Sequence, residues 1–83
     1  MVYIHAGNDR VIRTRSIIGV FDMDTATVSA ETKKFLSECQ REGRIILTTY
    51  ELPKSFILTS DDMVTLSQLS VPAIAGRIKN GDM

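Results

Sequence analysis

The side chains of this sequence with the most chemical promise are its clustered cations. Arg10, Arg13 and Arg15 fall within six positions, offset only by Asp9. In an extended segment Arg13 and Arg15 point to the same side. Lys54 follows Pro53 in a short connection, and Arg41 and Arg44 flank the end of a helical stretch. Guanidinium groups suit phosphate because they offer planar, paired donors, whereas an ammonium supplies a point charge. Spacing alone favours a plainer alternative: a solvated strand edge whose charges block aggregation through that edge. The other reactive side chains stand singly. His5 is the only histidine, which excludes a multi-histidine metal centre, and it reads as a surface or hydrogen-bonded residue. Cys39 is the only cysteine, one helical turn after Phe35, and reads as a small buried hydrophobe and not as a redox centre. Tyr50 and Phe56 are strand aromatics better suited to packing than to stacking on bases.

A second constellation lies in Ile17–Val28, IIGVFDMDTATV, where an apolar run ends in Asp22-Met23-Asp24-Thr25. This resembles the first motif of haloacid dehalogenase-type phosphatases. The resemblance implies Asp22 as a nucleophile toward phosphorus and Asp24 as acid/base beside Mg²⁺, with Lys54 and Asp61-Asp62 as candidates for the later elements. The architecture argues against it. That chemistry needs several parallel strands joined by helices, each unit taking ~30 residues. A chain of 83 residues with one substantial helix has no room for them. Asp22 and Asp24 therefore read as the polar turn between a strand and a helix, and the expectation is a non-enzyme with no cofactor and no metal.

Composition sets the frame. At 83 residues the chain is a single domain, 1–83, with 80–83 read as a frayed tail. A hydrophobic content of 43% with 24% charged residues is ordinary for a globular protein and argues against disorder. Ten basic and ten acidic residues cancel, so binding to nucleic acid must rest on local clustering. One cysteine excludes an internal disulfide and fits a reducing compartment. No run approaches the roughly 20 apolar residues of a membrane helix. The start, MVYIHAGNDR, lacks the pattern of a signal peptide. A cytoplasmic protein without membrane contact is expected.

The elements that must position the cations follow from periodicity. Val2–Ala6 and Arg10–Arg13 form a first hairpin around Gly7-Asn8-Asp9. Ser16–Phe21 reads as a short buried strand, and Asp22–Thr27 as a turn. Ser29 caps a helix over Ala30–Glu42 whose stripe holds Phe35, Leu36 and Cys39, with Gly43 just past its end. Ile45–Tyr50 and Ser55–Thr59 flank Pro53 and predict a central antiparallel hairpin. Both of its faces carry large apolar groups, and one helix covers only one. The second cover must come from another sheet or another copy of the chain. Asp61-Asp62 marks a turn, Met63–Leu69 a last strand, and Ser70 caps a short helix from Val71 or Pro72. The fold class is α+β: a small, largely antiparallel β-sheet domain with one main helix and a short C-terminal one.

Three stretches together resemble a known family: YIHAGNDRVIRTRSIIGVFD, the helix start SAETKKFL and the strand PKSFILT. They are similar to the extracellular matrix regulators of biofilm-forming bacteria, nearer the B-type than the A-type, over roughly residues 2–70. A-type members are DNA-binding transcription regulators that form ring-like oligomers and hold DNA through arginines of successive subunits. One of these arginines matches Arg15. Two others, in the central turn of the A-type, are replaced here by Leu52 and Pro53, leaving Lys54 as the nearby cation. The resemblance implies an oligomeric regulator that contacts the phosphates of double-stranded DNA through Arg13, Arg15 and Lys54. The alternative is an interaction or scaffold module that oligomerises without touching DNA.

Overall fold

The structure, a computed structural model, describes residues 3–7, 10–26, 28–48 and 51–80. Strands β1 (Tyr3–Gly7) and β2 (Arg10–Arg13) pair antiparallel as the expected first hairpin. A single 3-10 turn, Thr14–Ser16, then passes the chain into β3 (Ile17–Asp22) of a second sheet. After one helical turn, α1 (Met23–Ala26), comes the main helix α2 (Ala30–Arg41), followed by β4 (Ile45–Leu47), β5 (Ser55–Thr59), β6 (Val64–Ser67) and α3 (Val71–Asn80). The fold is α+β, as expected. Asn8, Asp9, Thr27, Tyr50 and the tail beyond Asn80 lie outside the described residues.

The central hairpin is a correction. The larger sheet runs β3-β5-β6-β4, so β6 lies between the two strands that were expected to pair. β5 pairs antiparallel with β6 through a turn at Asp61-Asp62, and β4 joins the far side of β6 in parallel. Local chemistry explains the choice. In the β5–β6 turn, Asp62 adopts a left-handed φ of 65°, which Asp tolerates better than most residues. The Asp62 amide donates to the Thr59 carbonyl at 3.1 Å, and the Thr59 amide to the Met63 carbonyl at 3.1 Å. The segment holding Pro53 instead carries the chain across the end of β6. The Thr48 amide bonds the Leu66 carbonyl and the Lys54 amide the Ser67 carbonyl, at 3.2 and 2.8 Å.

With this order β5 is interior, and its alternation defines two cores. Ile57 faces a core of Ile4, Ala6, Ile12 and Ile74, supplied by the β1–β2 hairpin and α3. Phe56 faces the other, with Cys39 and Val64 and the flanking Phe35 and Leu36 of α2. The second cover thus comes from the same chain. Buried hydroxyls join the layers: Ser67 donates to the Ala6 carbonyl at 2.6 Å and Ser55 to the Leu69 carbonyl at 2.7 Å. The Ser16–Phe21 run is a strand, but at the sheet edge, so it is not buried throughout; Ile18 is 64% and Phe21 42% exposed.

Both long helices carry the expected caps. The Ser29 hydroxyl accepts from the Thr32 amide and the Ser70 hydroxyl from the Ala73 amide, at 3.4 and 3.2 Å. Gly43, at φ 71°, ends α2 with paired bonds from its own amide to the Gln40 carbonyl and from the Arg44 amide to the Cys39 carbonyl.

Candidate functional site

The corner where β2 passes into β3 displays the arginines. The 3-10 turn is closed by the Ile17 amide on the Thr14 carbonyl, and the Ser16 carbonyl accepts from the Ser60 amide at 2.8 Å. The turn is therefore fixed to the β5–β6 hairpin, and its two exposed arginines, Arg13 and Arg15, project from an anchored backbone. Neither makes an ion pair with a described residue. Between β2, this turn and the β5–β6 turn lies a polar cleft of about 280 Å³ lined by Arg10, Arg13, Ser16, Thr59 and Asp61, among others. The Thr59 hydroxyl donates to Asp61 Oδ1, and the Met63 amide adds a second bond at 3.3 Å. The hydroxyl bond is the chief reason the Asp61 carboxyl is held below the usual range. Slight burial opposes it, while the Met63 amide and the positive charge of Arg10 reinforce it.

Lys54 is not part of this corner. Its carbonyl receives the Met23 amide at 3.0 Å, which puts it at the Asp22 end of β3, whereas Arg15 precedes the Ile17 end. The five residues of β5 separate Lys54 from Ser60, a span of roughly 20 Å at ~3.3 Å per residue step. Within one copy of the chain, Arg13 ends β2 and Arg15 sits in the 3-10 turn that follows, both exposed, while Lys54 stands apart, also exposed.

The remaining candidates have structural tasks. Arg44 is half-buried and pinned. Its Nη1 donates to the Asp62 carbonyl at 3.2 Å, its Nη2 to Cys39 Sγ at 3.1 Å, and its guanidinium lies 5.9 Å from the Phe35 ring centroid. Its Nε is 3.0 Å from Glu42 Oε1, an ion pair lacking hydrogen-bond alignment. Arg41 is exposed in the last turn of α2, where a cation suits the dipole. Cys39 is fully buried, and burial raises its thiol pKa, with Arg44 in partial opposition. Asp22 Oδ1 accepts from the Thr25 amide at 3.0 Å, so this carboxylate caps α1, and Asp24 is exposed one residue into that turn. Among the described residues no cluster of three or more His, Cys, Asp or Glu is placed to hold a metal ion. His5 is exposed, and its carbonyl accepts from Arg77 Nη1 at 2.8 Å, tying α3 to β1. Phe56 is buried, stacked 5.0 Å from Phe21, as packing required.

Sequence reasoning missed Ser16, Thr59 and Asp61 as cleft residues and set Arg10 aside. The available signal was the turn at Asp61-Asp62, which says nothing of which strand that turn folds against.

A family model described as extracellular matrix regulatory protein A-like (RemA-like) matches residues 3–78. Extracellular matrix regulatory protein B of Bacillus subtilis (strain 168) is 34% identical over 58 residues, covering 70% of this chain and 68% of that protein. No helix among the described residues is long and apolar enough to cross a membrane.

Proposed function

The chain belongs to the RemA-like family of extracellular matrix regulatory proteins, and we propose that it carries out its regulatory role by binding duplex DNA as a cytoplasmic homo-oligomer, without catalysis. The observation that carries this reading is the anchored corner with Arg13 and Arg15 exposed and free of ion pairs to described residues. Such cations meet phosphates, so they supply affinity and register and little sequence readout. A chain with no net charge binds a polyanion only if several such corners act together. The separation of Lys54 from the arginines fits the same idea: it contributes if assembly sets the Lys54 end of one copy beside the arginine corner of the next. Such a head-to-tail contact closes into a ring when the rotation permits.

The competing reading is a scaffold module that assembles but leaves DNA alone. It draws on the exposed apolar side chains Phe21, Leu47 and Leu52, of which Leu52 is 89% exposed. The experiment that separates the two is a gel shift with promoter fragments and random duplex across a salt series, run alongside mass measurement in solution. Binding by an oligomer, weakening steeply with salt, supports the regulator; an oligomer that leaves DNA unshifted at low salt supports the scaffold.

A further inference from the structure

Arg10 lines the polar cleft beside Arg13, and its surroundings there leave it a buried donor atom unsatisfied. Its side chain is partly buried, and its Nε is sealed from water with no hydrogen-bond partner among the described residues. A buried charged donor without an acceptor is costly, so the Arg10 guanidinium gains from an anion placed close by. The carboxylate among the described residues lining the cleft does not serve. Asp61 is close enough to feel the charge of Arg10, but its Oδ1 is taken by the Thr59 hydroxyl and the Met63 amide, and it forms no ion pair with Arg10. Among the described residues that line the cleft, the two guanidinium groups of Arg10 and Arg13 outweigh the one carboxylate of Asp61. At about 280 Å³ it has room for several groups the size of a water, at ~30 Å³ each.

We propose that this cleft is a phosphate pocket in which Arg10 and Arg13 supply two guanidinium groups and Ser16 a hydroxyl. The ligand chemistry is a phosphate mono- or diester, whose oxygens meet these groups where they line the cleft. Asp61 restrains the affinity by placing one negative charge against the incoming anion. The pocket borders the corner proposed to face DNA and in that respect rests on the same reading, but its own chemistry is also open to a free phosphate compound.

The test is an NMR titration of the full chain with inorganic phosphate and, separately, with a short duplex at low salt, using Arg10→Lys, Asp61→Asn and Arg41→Ala variants whose folding is checked by circular dichroism. Inorganic phosphate should shift the signals of Arg10, Ser16 and Thr59. Arg10→Lys keeps the charge but loses the planar guanidinium fork and should weaken phosphate binding roughly tenfold. Asp61→Asn should strengthen it, and Arg41→Ala should leave it unchanged. If Arg10→Lys also weakens the duplex, the phosphate belongs to the DNA backbone; if the duplex is unaffected, the pocket takes a free phosphate. A parent protein that binds phosphate through Arg10 but no duplex at all keeps the pocket and ends the DNA reading. A parent whose cleft signals stay fixed at high phosphate, or an Arg10→Lys protein that binds like the parent, overturns the pocket even if DNA binds.

Discussion

Replacing Ile57 by Ala should damage the fold severely. Ile57 is fully buried at the centre of β5, an interior strand, facing Ile4, Ala6, Ile12 and Ile74. Three carbons are lost, worth about 2.4 kcal/mol at ~0.8 per methylene, and a residual cavity adds to this, for a total of about 2–5 kcal/mol. A domain of 83 residues has only about 4–12 kcal/mol in total, so the variant should be close to unfolded at the upper end of that cost. The milder Ile57→Val should cost about 0.5–1.5 kcal/mol. Leu47→Ala, on the outer strand β4 with 69% of the residue exposed, is the control and should stay within about 0.5 kcal/mol. Urea unfolding at fixed, low protein concentration reads all three, with unchanged slopes where only the native state is affected. Equal losses for Ile57→Ala and Leu47→Ala would refute the layered account, because they would mean that β5 is no more interior than β4.

Three further outcomes follow from local geometry. Gly43→Ala forces a Cβ into the left-handed region at the end of α2 without any steric neighbour, and should cost about 1 kcal/mol in the same melts; a neutral result would remove the C-terminal cap from the account. Cys39, buried and with its thiol pKa raised by burial, should react with a disulfide reagent at pH 8 only as fast as the chain opens, and promptly in urea. Asp61 has a depressed pKa in the folded state, so its contribution is present above the unfolded carboxylate value and is lost as pH falls through the folded one. Asp61→Asn should therefore lower stability at neutral pH, with the gap to the parent closing in acid; a gap that persists below both values would contradict the Thr59–Asp61 bond as its cause.

The local pieces were legible because each has a local cause. Ser29 and Ser70 announce helix starts, Gly43 the end of α2, and the alternation around Gly7 the first hairpin. What failed was pairing. Ile45–Leu47 and Ser55–Thr59 are adjacent in sequence and both rich in apolar residues, but nothing local records that Val64–Ser67 competes for β5 with a better turn. The second cover, left open between another sheet and another copy of the chain, is supplied by the β1–β2 sheet together with α3. For the candidate site, the spacing put Arg13 and Arg15 on one side of an extended segment, but the chain leaves β2 after Arg13 and Arg15 lies in the 3-10 turn Thr14–Ser16. The distance of Lys54 was not readable, because it depends on which end of β5 meets β3. The polar cleft depends on a contact between the β2 corner and the Asp61 turn, residues remote in sequence, and no periodicity points to it.

The central claim is that an oligomer holds DNA phosphates through the arginine corner, and the measurement closest to it is the salt dependence of duplex binding by the parent and by Arg15→Ala, at a concentration where solution mass confirms assembly of both. Each phosphate contact adds about 0.9 to the log–log salt slope. The parent should bind at ~50 mM salt, and Arg15→Ala should bind all sequences more weakly, with a slope flatter by about 0.9 for every copy engaged on the duplex. Arg41→Ala, in the last turn of α2, should change much less. Assembled Arg15→Ala that binds with the parent's affinity and slope, or an assembled parent that leaves duplex unbound at ~50 mM salt, would contradict it.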